Sequence, residues 1–566
     1  MATIIKKIKK GRPYYYAVES GRVNGKPRIT WQKYLGTIDA IIQRTENAKP
    51  PKPKEAVLFE AGGVAALLGI AQRLDVVKLI DSVVPKRKQG PSVGQYMLLA
   101  AINRALEPCS KVGIGDWYQE TILRRLWGIP RSSFSSQRFW DHMDMISEKA
   151  IERIQDELAL RVADQYGYEG KILLYDTTNF FTFLATTNER NEVAQRGRNK
   201  AKRHDLRQVG LALLVTREHQ VPLFHKVYQG NIPDVSLFPK LARSMIRRCN
   251  RTLSPQGEAT MVFDKGNTSD DGMEQLIIPN QHFVAALPGN RLPDLVGRSL
   301  EQFHAVDGVP GTKAFSEDLI WWGQSCKAVV AYTESFFTQQ LCGVTRNLAK
   351  CQKKLLDLDK SLAKWRNGKG RGKRPTIKGV ERSVASILAP QFMKDVFRVH
   401  VELDASLPRL RYELDHTSFD LLTHQRLGRT LLITDQKEWT NKEVIEAYRS
   451  LTNVEEAFRN MKNVDFLRWQ PAHHWTDQKT IVHGFYCVLA LLLTTLARKL
   501  VLQAGIDLSL PALLKDLTSI REVAVIYPSG TLAHRKDHIT LSRMSPRQRK
   551  LADILKVGEV IRGQYK

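Results

Sequence analysis

The sequence predicts an α/β protein: a sheet-based catalytic core carrying a β-rich insertion, preceded by an amino-terminal β-hairpin and a helical domain. Three observations predict it. Short apolar runs begin at residue 171 and arrive in the order β-β-β-α-β. Helical periodicity fills residues 55–168 and resumes at Asn441. Finally, 566 residues are too many for one core, since domains usually run to about 100–200 residues. With 43% hydrophobic and 25% charged residues the composition is that of a folded chain, so disorder is not the default. The unusual quantity is sign: 86 Lys and Arg against 58 Asp and Glu leave a formal charge of +28, which points to a polyanionic partner, nucleic acid first.

Residues 1–54 form a basic β unit and linker. The strands Pro13-Tyr14-Tyr15-Tyr16-Ala17-Val18-Glu19 and Arg28-Ile29-Thr30-Trp31-Gln32-Lys33-Tyr34 flank turn-rich residues 21–27. Tyr and Lys on such a hairpin suit DNA; a solvated hairpin with an ordinary aromatic face is an equal alternative. Lys49-Pro50-Pro51-Lys52-Pro53-Lys54 is the linker. Residues 55–168 read as a helical DNA-binding or dimerisation domain, with apolar runs at 64–81 and 96–107. Cys109, Cys249, Cys326, Cys342, Cys351 and Cys487 include no CxxC pair, which argues against a zinc ribbon or a disulfide framework and fits a reducing cytoplasm, here nucleoid-associated. Residues 1–12 lack the apolar stretch of a signal peptide. Residues 481–502 are apolar enough to suggest a membrane span, but they contain His483, two threonines and Arg498-Lys499, so a buried core helix and no membrane are expected.

The core is expected in two parts, residues 169–288 and 436–505, around an insertion at 289–435, with a helical region at 506–566. Its strands at 172–175, 208–216, 222–229 and 260–263, with a helix after Pro233, follow the order of the ribonuclease-H core. There one acid ends the first strand and another ends the fourth, positions held here by Asp176 and Asp264. Residues 283–287 read as a fifth strand. In the insertion, Leu348, Cys351, Leu355, Leu358, Leu362 and Trp365 make an apolar stripe under three heptads long, for which packing within the chain is preferred to a coiled coil between chains. The helix runs into a basic, Gly-rich and acid-free segment with Lys369, Arg371, Lys373 and Arg374, expected to be a flexible phosphate-binding loop.

Cutting a phosphodiester requires an activated water or 3′-hydroxyl and a stabilised leaving oxygen. Two divalent ions about 4 Å apart, held by carboxylates, supply both. Mg²⁺ (or Mn²⁺) suits such a site because it keeps most of its water and takes one or two carboxylates per ion. Asp176 and Asp264 each follow an apolar strand, and a third acid is expected on a nearby helix. Steps of seven return within about 20° on a helix, so Tyr448, Glu455 and Lys462 would share a face, with Arg459 near it. A carboxylate flanked by a phenol and an amine suits a metal site that also grips phosphates; a surface helix with i,i+4 charge pairs is the bland alternative.

On these residues the sequence resembles the DDE transposases of the insertion-sequence-four superfamily. Their third acid sits in a signature of Tyr, two residues, Arg, three residues, Glu, six residues, Lys; Tyr448, Glu455 and Lys462 match, and Leu451 stands where the pattern has Arg. The stretches Tyr175-Asp176-Thr177-Thr178-Asn179-Phe180, Gly230-Asn231-Ile232-Pro233-Asp234 and Val454-Glu455-Glu456-Ala457-Phe458-Arg459 most resemble the branch numbered sixteen thirty-four. The resemblance implies metal-dependent cleavage at terminal inverted repeats by Asp176, Asp264 and Glu455, strand transfer into target DNA, and a homodimer in a synaptic complex. In place of the missing Arg, Arg459 is expected to supply a phosphate contact beside Tyr448 and Lys462.

The basic run at 196–207, with Arg196, Arg198, Lys200, Lys202 and Arg203, would hold DNA beside the metals rather than form a solvated loop. Asp234, Asp270 and Asp271 read as helix caps, and His473, His474 and His483 as core or phosphate-contacting groups rather than zinc ligands. Trp321 and Trp322 are expected to pack the insertion rather than stack on an extruded base. Two further functions stay open: a structure-specific nuclease on the same fold that does not join strands, and a DNA-binding repressor of its own element.

Overall fold

A computed structural model of the chain describes residues 2–23, 25–46, 53–86, 89–167, 171–185, 187–199, 201–253, 259–264, 282–404, 407–470, 472–527 and 538–563. Lys200, Asp270, Asp271 and most of the proline-rich linker lie outside them, as does the side chain of Asp234. The amino-terminal unit is a three-stranded antiparallel sheet of β1 (Thr3–Lys9), β2 (Arg12–Val23) and β3 (Lys26–Gly36), one strand more than the hairpin expected. The extra strand uses Ile4, Ile5 and Ile8, whose β-branched side chains favour a pleated surface.

A strand β4 (Glu55–Glu60) precedes the helical region, which runs from Gly62 to Tyr166. The core then follows as β5 (Ile172–Thr182), β6 (Arg207–Thr216), β7 (Pro222–Gln229), a helix Asp234–Leu253, β8 (Thr260–Phe263) and β9 (His282–Leu287). β6 is antiparallel to β5 and to β7, whereas β8 runs parallel to both β5 and β9. Across the sheet these strands lie in the order β7-β6-β5-β8-β9. β6 is buried from Gln208 to Val215 on both faces, which explains its near-continuous apolar run.

The region expected to be a separate β-rich insertion is divided differently. β10 (His304–Ala305), β11 (Thr312–Trp321), β12 (Gln324–Thr333) and β15 (Arg429–Thr434) extend the core sheet to nine strands, β15 pairing with the edge of β9. Only the chain between β12 and β15 stands apart. It is largely helical, with a 33-residue helix Glu334–Arg366, helices Ile377–Ile387 and His416–Gln425, and a hairpin of β13 (Phe397–Asp404) and β14 (Leu407–Leu414). Cys351, Leu355 and Leu362 of the apolar stripe are buried here against Val380, Met393 and Leu410, so the stripe packs within the chain. In the basic segment after this helix the backbone at Gly370 lies on the Trp365 indole, where an added Cβ would meet the ring at 2.1 Å.

Residues 506–566 are not wholly helical either. β16 (Arg521–Ile526) pairs with β4 and with β17 (His538–Leu541), tying this carboxy-terminal region to the strand that opens the helical region. Glu60, 3% exposed, accepts a hydrogen bond from the Trp117 indole at 3.1 Å. Burial raises its carboxyl from the ordinary 4.5 to about 7, against the pull of Arg521. A raised carboxyl pKa favours the folded state at low pH, and that contribution is lost as pH rises from 4.5 to 7. Glu60→Gln is expected to be more stable than the parent at pH 8, by on the order of 1–3 kcal/mol, with the gap closing at pH 4.5. Urea midpoints at the two pH values check this; a constant gap would contradict it.

The helix Asp477–Gln503 is the one described helix long and apolar enough to cross a membrane, and its most apolar stretch is 100% buried inside the protein. It packs against the helix Val93–Leu106 and against β7, as a core helix would.

Candidate catalytic cleft

Three Asp or Glu side chains, Asp176, Asp264 and Glu455, line one cleft of about 1370 Å³, and each arrives from a different part of the chain. β5 and β8 are paired in register from Ile172 opposite Thr260 to Leu174 opposite Val262. Asp176 lies two residues past Leu174 on β5, and Asp264 follows directly on Phe263, the last residue of the neighbouring β8. Adjacent strands lie about 4.8 Å apart and residues two apart share a face, so both carboxylates leave the sheet on the same side. Asp264 follows the last residue of β8, as expected. Asp176 does not end its strand: β5 continues through Thr177, Thr178, Phe180 and Phe181, pairing with β6 as far as Thr182. These β-branched and aromatic residues continue the pleat, and Asp176 marks instead the level at which β8 stops.

The signature helix is broken. One helix spans Asn441–Arg449 and a second Leu451–Met461, with Ser450 between them. The Ser450 hydroxyl donates to the Ala447 carbonyl at 2.5 Å, and Asn453 N–H donates to the Ser450 carbonyl at 2.8 Å, so local bonds interrupt the regular ladder. Despite the break, Tyr448, Leu451, Glu455 and Lys462 all line the cleft. The Tyr448 hydroxyl donates to Asp264 Oδ1 at 2.8 Å. Burial and the negative charges of Asp264 and Glu455 push this phenol well above its ordinary pKa, so it remains a neutral donor. Lys462 Nζ donates to Thr178 Oγ1 at 2.6 Å and lies 5.2 Å from the Phe180 ring centre. Glu456 faces elsewhere, accepting from Gln220 Nε2 at 2.8 Å, as adjacent helical residues about 100° apart require.

The walls are basic. Arg198, Asn199 and Ala201, from the run between β5 and β6, line the cleft, while Arg196, Lys202 and Arg203 are exposed beside it. Arg203 is engaged by Asp205 at 2.7 Å, which holds that carboxyl down at about 2. Arg459 is exposed and is not among the lining residues; Arg449 and Arg468 are. Sequence reading missed both. Arg449 donates to Thr312 Oγ1 at 2.8 Å and Thr333 Oγ1 at 3.0 Å, strand residues distant in sequence. Arg468 precedes the buried Trp469, which stacks on Phe180 with ring centres 4.4 Å apart. Buried Arg104 donates to the carbonyls of Arg468 at 3.2 Å and Gln470 at 3.5 Å, and so holds this wall from the helical region.

His483 lies under the same wall, its Nε2 2.8 Å from the Trp469 carbonyl. Burial drives the pKa values of His474 and His483 well down, so both are neutral core groups. His473 is exposed, with Nδ1 3.2 Å from the Phe183 carbonyl. Trp321 and Trp322 pack edge-on against each other and against the core under the sheet extension, as expected. Lys369, Arg371, Lys373 and Arg374 are all exposed, on the helical insertion.

The donor set fits hard divalent cations, since Asp176, Asp264 and Glu455 offer only oxygen. Among the described residues no three His, Cys, Asp or Glu side chains are gathered closely enough to hold one ion together. Mg²⁺ does not require that, because it takes one or two carboxylates and keeps water in its other positions.

No family model and no curated protein matches the chain. Among solved structures it is similar to a piggyBac transposase synaptic complex with hairpin DNA, at a TM-score of 0.37 and 9% identity over 80% of this chain and 79% of that one. It is also similar to a Mos1 transposase paired-end complex with the left transposon end, at a TM-score of 0.15 and 13% identity over 37% of this chain and 63% of that one. At those scores neither decides fold or function.

Proposed function

We propose that this chain is a cut-and-paste DNA transposase of the DDE type, with Asp176, Asp264 and Glu455 holding two Mg²⁺ or Mn²⁺ ions on a ribonuclease-H-like core. The observation that supports the reading most is that Asp176 on β5, Asp264 directly after the neighbouring parallel strand β8, and Glu455 from a helix all line one cleft. The strand order β7-β6-β5-β8-β9 supports it, with three antiparallel strands followed by two parallel ones. A divalent ion bound there would activate the attacking oxygen and stabilise the leaving one. Tyr448 orients Asp264 by donating to one oxygen, leaving the other available. Arg198, Arg449, Arg468 and Lys462 set positive charge on the cleft walls, where they neutralise flanking phosphates and fix the duplex in register without reading its sequence.

The proposed partners are terminal inverted repeats, target DNA and a second copy of the chain in a synaptic complex. The experiment that tests the reading supplies, in parallel, an uncut and a pre-cut end of the element's own flanking DNA, a target plasmid and Mg²⁺. Joined product is expected; cutting of an uncut end without joining would mean a nuclease, and binding without either would mean a repressor.

The exposed run 364–378 is proposed to hold DNA through phosphates alone. Replacing Lys369, Arg371, Lys373 and Arg374 by Gln is expected to weaken binding to all sequences alike and to lower the salt slope by about 0.9 for each phosphate no longer neutralised. An unchanged slope in a salt titration would make the run a solvated loop.

A further inference from the structure

The amino-terminal sheet carries a second cleft, of about 700 Å³, lined by Lys9, Lys10, Arg12, Tyr14, Tyr16 and Tyr34. We propose that this cleft binds an unpaired DNA strand, with bases stacked on the tyrosines and phosphates on the cations at the sheet's end.

The strand registers put these residues on one face. Lys7 is opposite Tyr14, Lys9 opposite Arg12, and Tyr16 is opposite both Ile5 and Tyr34. Directly opposed residues point to the same side of a sheet, so the tyrosines form a cross-strand cluster with lysines along one border. The turn between β1 and β2 is two residues long, Lys10 and Gly11, both at positive φ (48° and 74°). That is the tight hairpin turn whose twist matches the strands, and it fixes Lys9, Lys10 and Arg12 together at the tip. The face is therefore preorganised and its charge is of one sign. Glu19, the one acid in these three strands, alternates to the opposite face from Tyr14 and Tyr16.

The tyrosines are not consumed by packing on each other. Tyr34 is 51% exposed, and its ring is tilted 45° from Tyr14 and 49° from Tyr16, at centroid distances of 6.1 and 5.2 Å. Lys7 Nζ lies over the Tyr16 ring at 4.9 Å, so the exposed Tyr34 ring, with Tyr14 beside it, is the stacking surface offered to a ligand-sized cleft beside cations. Base faces in a duplex are covered by their neighbours and cannot use such a surface, whereas an unpaired strand offers both base faces and phosphates. A purely phosphate-binding patch would need the cations and not the three phenols. The choice of DNA over RNA rests on the function proposed for the carboxylate cleft; stacking itself does not.

The test uses the full chain and four fluorescein-labelled 20-nucleotide probes: oligo-dT, the same strand with abasic sites in place of most bases, oligo-U, and a duplex. The parent is expected to prefer oligo-dT to the abasic strand, which carries the same phosphates. Tyr34→Leu keeps apolar packing but removes the ring, and is expected to lose that preference, a fall of roughly 5- to 100-fold for a base contact, with duplex affinity changed less than about twofold. Tyr34→Phe keeps the ring and is expected to keep the preference. Equal loss of oligo-dT and duplex binding in Tyr34→Leu, retention of the preference by that variant, or its loss in Tyr34→Phe would each overturn the proposal. Tighter binding of oligo-U than of oligo-dT would overturn the assignment to DNA. Cleavage in the carboxylate cleft is read separately, so failure here leaves that reading standing.

Discussion

Asp176→Ala and Asp264→Ala are each expected to lose nicking of the element's ends in Mg²⁺ by about 10³-fold or more while keeping affinity for those ends. Carboxylate-held ions stabilise the charge of the transition state by several kcal/mol, and about 1.36 kcal/mol is tenfold in rate. Neither residue belongs to the basic surface. Asp176 is on β5 and Asp264 directly follows β8, whereas Arg198, Arg449 and Arg468 line the cleft walls proposed to hold DNA. Gel-shift and nicking assays on the same preparations separate the two effects. Loss of binding in step with loss of cleavage would make these acids structural.

The adjacent acids Glu455 and Glu456 are expected to differ as sharply. Glu455 lines the cleft and its charge acts on Tyr448, whereas Glu456 is turned onto Gln220 at the back of the helix. Glu455→Gln removes a carboxylate charge almost without changing volume and, if Glu455 holds an ion as proposed, is expected to abolish cleavage and strand transfer, on the scale of about 10³-fold. In Glu456→Gln the amide oxygen still accepts from Gln220, and both activities are expected within about twofold of the parent, a difference of under ~0.5 kcal/mol. The opposite result would mean that the second helix is rotated from the register described, and the role of Tyr448 would fall with it.

What was legible in the sequence was local. The run from Ile172 to Tyr175 before Asp176, and the run from Thr260 to Phe263 before Asp264, announce buried strands with an acid beside them. The seven-residue spacing of Tyr448, Glu455 and Lys462 predicts a shared face, and these residues do line one cleft, although Ser450 interrupts the helix between the first two. A serine bonding back onto its own helix leaves no periodic signal, because the apolar positions on either side keep their spacing.

The long-range pairings were not legible. Nothing in residues 429–434 says that they pair with β9 rather than close a separate domain, since a strand's sequence fixes its faces and not its neighbour. The pairing of β4 with β16 joins residues more than 400 apart in the same way. Arg449 and Arg468 were missed because their place in the cleft depends on other contacts between residues distant in sequence. Arg449 is tied to Thr312 and Thr333 on the sheet extension, and the wall bearing Arg468 is held by Arg104 from the helical region. Arg459, chosen from helical geometry alone, lies beyond the cleft lining.

The central claim is that these carboxylates act as metal ligands, and Asp264→Cys tests it most directly. A thiolate is a poor ligand for Mg²⁺ and a better one for Mn²⁺, which accepts softer donors. If Asp264 holds a catalytic ion, nicking of a plasmid carrying the element's ends by Asp264→Cys is absent in Mg²⁺. In Mn²⁺ it returns by about tenfold or more, a change of ~1.4 kcal/mol, while Asp264→Ala stays inactive in both ions. Parent-like nicking by Asp264→Cys in Mg²⁺, or the same residual rate in both ions, would contradict the account.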